Sequence, residues 1–135
     1  MTVRAGKKTP MERMTRQQMV AEFGEPGVQN PTIIDLLSVE PDTGRVVLVM
    51  IERRPWGDSA GQFGQIEEKI NRYLGYVLDG FLVQHYPQYE GRPVLLRLDC
   101  AEAPHGAAVK FVAAASHAIA AQGLELAINV MPQQV

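Results

Sequence analysis

The sequence predicts a two-layer α/β sandwich (α+β), ββαβαβ, with a four-stranded mixed sheet and two helices on one face. Three observations predict it. Two short runs rich in branched apolar residues, "TIIDLLSV" and "RVVLVMIE", are separated by the turn sequence "EPDTG", the mark of an antiparallel hairpin. In the second run every residue from Val46 to Ile51 is apolar, which means a strand covered on both faces. Two longer stretches then follow with apolar residues at three- and four-residue steps, each leading into another short strand-like run.

The first strand begins near Thr32, and Pro41, Asp42 and Gly44 occupy turn positions before the second. Pro55 holds the residue before it extended and so ends that second strand. Ser59 suits a helix N-cap, with Gln62 three residues on as its partner. Phe63, Ile66, Ile70, Leu74, Val77, Leu78 and Phe81 form the apolar stripe of this helix, while Glu68 and Arg72 pair on its wet side. Pro87 bars further helix. In "RPVLLRLD", Val94, Leu96 and Leu98 take one face and Leu95, Arg97 and Asp99 the other. An alanine-rich helix runs from Pro104 to Gln122, with Phe111, Val112, Ala115 and Ile119 inward and Gly123 as its left-handed stop. "LELAINV" alternates, with Leu124, Leu126, Ile128 and Val130 inward.

Residues 1–30 read as an N-terminal extension, partly disordered, with a short helix starting at Thr9-Pro10-Met11-Glu12 and a linker from Gly27 to Pro31. Residues 31–135 read as a single α/β domain. Each strand–helix–strand unit makes a right-handed parallel crossover, so both helices fall on one face. Strand order 1-2-3-4 is the simplest result, and 1-2-4-3 its rival. The other face would carry either Ile33, Leu37, Val39, Val47, Val49 and Ile51 or the complementary register with Leu48 and Met50. Apolar area of that extent asks for a cover. The N-terminal helix or a second chain could supply it, and two-fold pairing favours a homodimer through the apolar sheet face.

Composition narrows the function classes. The chain has 135 residues, 46% hydrophobic and 21% charged, the balance of an ordinary globular domain. A formal net charge of -2 lacks the basic excess of a nucleic-acid binder, so no nucleic acid partner is expected. No window has the apolar length of a membrane helix, so no membrane partner is expected either. The lone Cys100 fits the cytoplasm. His85, His105 and His117 are too scattered for metal ligation, and Gly57, Gly61 and Gly64 match no phosphate-loop spacing. Neither a metal nor a cofactor is expected.

Ligands of sheets with parallel crossovers collect beyond the carboxyl ends of the strands. Two such ends give one candidate binding edge: Arg53, Arg54, Trp56 and Asp58 after the second strand, and Asp99, Cys100, Glu102 and His105 after the third. Arginine forks suit an anion. Cys100 near a helix start could be an activated thiol if His105 folds back as its base. The plainer reading makes Arg53 or Arg54 with Asp99 a structural ion pair. In that reading Trp56 is a corner wedge with its N–H on a carbonyl, and Cys100 a small buried thiol.

The segments "IIDLLSVEPDTGRVVLVMIERRPW", "IEEKINRYLGYVLDG" and "PVLLRLDC" together resemble a family of small bacterial domains of unknown function. The signature is a strand ending in Glu52-Arg53-x-Pro55-Trp56, then a helix with Tyr73-Leu74 and Val77-Leu78-Asp79-Gly80. The resemblance covers roughly Pro31 to Val130 and implies a bacterial, cytoplasmic setting but no activity. The leading expectation is a non-catalytic interaction or binding module that self-associates. The alternative is a small enzyme or anionic-metabolite binder at the strand-end edge around Arg53, Arg54, Asp99 and Cys100.

Overall fold

The computed structural model describes residues 25–57 and 60–132. The helix expected from Thr9, the cap at Ser59 and the candidate residue Asp58 lie outside the described residues. The elements run β1 (Leu36–Val39), β2 (Val46–Glu52), α1 (Gln62–Leu78), α2 (Phe81–His85), a single 3-10 turn (Pro87–Tyr89), β3 (Val94–Cys100), α3 (Ala107–Ala121) and β4 (Glu125–Val130). The sheet order is β1-β2-β3-β4. β1 pairs antiparallel with β2, and β2, β3 and β4 run parallel. The simpler of the two expected orders is the one adopted.

Alternation along the strands divides the side chains between two faces. Val46, Leu48 and Met50 of β2 and Leu96, Leu98 and Cys100 of β3 join one core with Ile66, Ile70, Tyr73 and Tyr76 of α1 and Ala108 and Ile119 of α3. Both long helices therefore cover the same face, as two right-handed crossovers require. The opposite face centres on Val47, Val49 and Leu95, flanked by Ile51 and Ala127. Those three are only 2%, 0% and 4% exposed in the single chain, so the expected open apolar face is closed at its centre.

Local departures from the sequence reading have physical reasons. β1 starts at Leu36 rather than near Thr32, because the Asp35 carboxylate takes the place of ladder pairing: it accepts the N–H of Ile51 at 2.9 Å and that of Gly27 at 2.9 Å. The expected linker at Gly27 belongs to the packed structure, for Val28 is 1% exposed and donates to the Ile51 carbonyl at 2.8 Å. The first long helix stops at Leu78. Gly80 adopts φ 87°, a left-handed conformation open to glycine, and a short helix restarts at Phe81. The stripe of α1 is also rotated from the one expected. Gln62, Ile66, Lys69, Ile70, Tyr73 and Tyr76 are buried, whereas Leu78 and Phe81 are 49% and 44% exposed.

Candidate functional site

The register aligns Ile51 with Asp99 and Glu52 with Cys100, so the ends of β2 and β3 share one edge, as expected from parallel neighbours. The charged groups at that edge do not converge. Glu52 and Cys100 turn toward the helices, while Asp99 turns to the other face with Arg97. The expected pair of Arg53 or Arg54 with Asp99 is not formed, because Arg97 takes the Asp99 carboxylate and Arg53 reaches the Pro26 carbonyl. Arg54 instead folds back on Glu52 with a two-pronged fork, Nε to Oε1 at 2.9 Å and Nη2 to Oε2 at 2.7 Å, and its backbone N–H donates to Oε1 as well. Glu52 is fully buried, and this local clamp supplies its counter-charge. Asp99 is held in the same way by Arg97, Nε to Oδ1 at 2.7 Å and Nη2 to Oδ2 at 3.1 Å, with Asn129 Nδ2 donating to Oδ1 at 3.2 Å. Arg53 is exposed and donates to the Pro26 carbonyl at 3.2 Å.

Trp56 is the corner wedge that the sequence suggests. It is 6% exposed, its indole N–H donates to the Glu102 carbonyl at 2.9 Å, and its backbone N–H donates to Glu102 Oε1 at 3.0 Å. Its ring leans on Phe63, centroids 6.3 Å apart, and Phe63 stacks on Phe111 at 4.7 Å. One aromatic file thus joins the β2 corner to both long helices. The Gln62 amide closes the turn, accepting from the Gly57 N–H at 2.7 Å and donating to the Pro55 carbonyl at 3.1 Å.

His105 does approach Glu102, Nε2 to Oε1 at 3.2 Å, but not Cys100. The hydrogen bond from the Trp56 N–H, and then that from His105, hold the Glu102 carboxyl below the usual carboxylate range. Cys100 is fully buried, with Sγ 3.7 Å from the Asn129 carbonyl. Burial, then the negative neighbours Asp99, Glu52 and Glu102, push its thiol up to about 11. An activated thiol needs the opposite surroundings, so Cys100 is a small core residue.

The most heavily buried ionic constellation is one that sequence reasoning missed. Lys69 on α1 and Asp35 before β1 have side chains 0% exposed and meet at 2.8 Å. The Lys69 ammonium also donates to the Ile33 carbonyl at 3.0 Å and to the Asn30 carbonyl. Tyr73, one turn further along α1, donates to the Val49 carbonyl at 2.6 Å and accepts the Asp35 N–H at 2.8 Å. Lys69 lies 5.7 Å from the centre of the Tyr73 ring. Burial lowers the Lys69 pKa, and Asp35 opposes that shift. Burial likewise raises that of Tyr73. A perturbed lysine can mark a reactive amine, but an ammonium has three protons to donate and here three acceptors take them. The constellation clamps residues 27–35 between β2 and α1. Two breaks in apolar pattern signal it in the sequence: Asp35 inside "TIIDLLSV", and Lys69 between Ile66 and Tyr73 on one helix face.

Among the described residues no cluster of histidine, cysteine and carboxylate groups could hold a metal ion. Among them, too, no helix is long and apolar enough to cross a membrane. No curated protein and no solved structure matches the chain. A family model does match, over residues 27–132, which takes in the buried clamp, the Trp56 corner and all four strands. The chain belongs to that family, a family of unknown function (DUF6572).

Proposed function

We propose that this domain is a non-catalytic interaction module that self-associates, in a bacterial, cytoplasmic setting. The closed corner at the strand ends carries the non-catalytic part of the proposal, and the outer edge of β4, unpaired among the described residues, supports the self-association. Glu52 is held by Arg54, Asp99 by Arg97 and Asn129, and Glu102 by Trp56 and His105, while Cys100 is buried with a raised pKa. Groups that could act on a substrate are instead partners of one another. Light scattering coupled to size exclusion, over a concentration series into the high micromolar range, tests the self-association. A mass of one chain throughout defeats the proposal.

A second reading keeps an anionic metabolite at the same edge. It is favoured by Arg53, whose guanidinium is exposed and is directed at a backbone carbonyl rather than a carboxylate. A thermal-shift screen with phosphorylated and carboxylated metabolites separates the two readings. Stabilisation that disappears in Arg53→Ala supports the second, and a flat screen removes it.

A further inference from the structure

We propose that the partner in self-association is a second copy of this chain, joined antiparallel along the outer edge of β4 to make one continuous eight-stranded sheet with Ala127 at the two-fold axis. The inference rests on the self-association reading above and moves the contact from the sheet face to the sheet edge.

The ladder bonds orient β4. Met131 donates its N–H to the Cys100 carbonyl at 2.8 Å, so residue 131 turns its backbone groups toward β3. Alternation then turns Glu125, Ala127 and Asn129 the same way and leaves the N–H and C=O groups of Leu126, Ile128 and Val130 pointing away from the sheet. Among the described residues no strand pairs with that side. Exposed edges are usually defended by lysine, proline or a bulge. β4 (ELAINV) has none of the three in its six residues, and its one charge is Glu125 at the start.

A register centred on Ala127 satisfies both sterics and charge. Antiparallel partners that exchange hydrogen bonds must both be outward residues. With Leu126 opposite the partner's Ile128, Ala127 faces the partner's Ala127. Glu125, whose Oε1 accepts from Arg45 at 2.8 Å, then stands opposite the partner's Asn129, whose Nδ2 gives one proton to Asp99 and has a second to donate. Like charges do not meet, and every outward group from Leu126 to Ile128 finds a mate. The two-fold axis of such a pair is perpendicular to the sheet, so the two α3 helices become neighbours on one side of it. That flank carries apolar side chains that the single chain leaves partly open. Leu126 and Ile128 are half-buried, and Val130 at the end of β4 and Val109 at the start of α3 are 45% and 52% exposed at the same end of the crossover.

Ala127→Cys tests the register directly. Facing residues at a non-hydrogen-bonded position have Cα atoms about 4.5 Å apart, within the roughly 4.4–6.8 Å that a disulfide spans. Under mild oxidation the variant should run as a covalent dimer on a non-reducing gel, with the wild type, whose Cys100 is buried, as the uncrosslinked control. Ala127→Glu sets two like charges face to face at the axis. It should convert a species of twice the 14.9 kDa chain mass into one of 14.9 kDa, with an unchanged circular dichroism spectrum. A dimer that is neither cross-linked by the cysteine nor split by the glutamate overturns the edge but keeps self-association. A wild type of one chain mass overturns both.

Discussion

Replacing Lys69 by methionine removes an ammonium while nearly keeping the volume of its stem. The wild-type amine donates to Asp35 at 2.8 Å, to the Ile33 carbonyl at 3.0 Å and to the Asn30 carbonyl, with no measurable exposure of the side chain. In Lys69→Met the Asp35 carboxylate stays buried against the Gly27 and Ile51 N–H groups but loses its counter-charge. Breaking a buried ion pair from one side costs about 3–5 kcal/mol. For a chain of 135 residues the entropy of unfolding makes that a fall in Tm of roughly 10–18 °C. Urea titration followed by circular dichroism measures the first figure and calorimetry the second. In the double variant with Asp35→Asn the charge is gone from both sides, so the two losses should fall well short of adding. A loss under about 1 kcal/mol in Lys69→Met, or strict additivity, would mean that the ammonium reaches water, and would refute the clamp.

Trp56→Ala should cost about 3–5 kcal/mol, the scale for truncating a large buried aromatic, and Trp56→Phe less, since it keeps apolar volume and loses the bond to the Glu102 carbonyl; urea titration reads both. Arg54→Ala should destabilise by about 3–5 kcal/mol because Glu52 is left buried without its fork, while Arg53→Ala, at an exposed side chain, should stay within about 0.5 kcal/mol. The Glu102 carboxyl titrates lower in the folded chain than unfolded, so its stabilisation is present above the ordinary carboxylate range and is lost as pH falls through the folded value. Glu102→Gln should therefore flatten the acid limb of the stability curve, read by tryptophan fluorescence between pH 2 and 6.

Much of the architecture was legible because it depends on short-range pattern. The unbroken apolar run Val46–Ile51 marked β2 as a central strand, and the two crossovers placed both helices on one face. Trp56 was legible as a wedge because Pro55 and the helix start leave an indole little else to do. The ion pairs are less legible. Arg97 and Asp99 stand two apart on one strand and so share a face, and that is where the fork forms. Pairing Arg54 with Asp99 requires side chains from opposite faces to meet, and Arg53, past the strand end, reaches the Pro26 carbonyl instead. The rotation of α1 was hidden for a different reason. A stripe drawn through apolar residues alone passes over Lys69, whereas the folded chain buries its ammonium against carbonyls of a segment more than thirty residues earlier. Nothing local in "IEEKINRY" supplies those acceptors.

The two crossovers are unequal, and the inequality points in one direction. α1 buries six residues, among them Lys69 and Tyr73, whose hydrogen bonds reach β2 and the segment before β1. α3 buries two, Ala108 and Ile119. Polar bonds made inside a dry core fix geometry, and apolar contact at a half-exposed flank does so less firmly. On that count the amides of α3 and β4 should exchange with solvent before those of β2 and α1. A strand that opens easily is also a strand whose edge is available. Pairing β4 with a second copy would bury the half-exposed Leu126 and Ile128 where the single chain buries them least. Any partner that binds only the folded state stabilises it by mass action. The melting temperature of the whole domain should therefore climb with protein concentration, and that of Ala127→Glu should not.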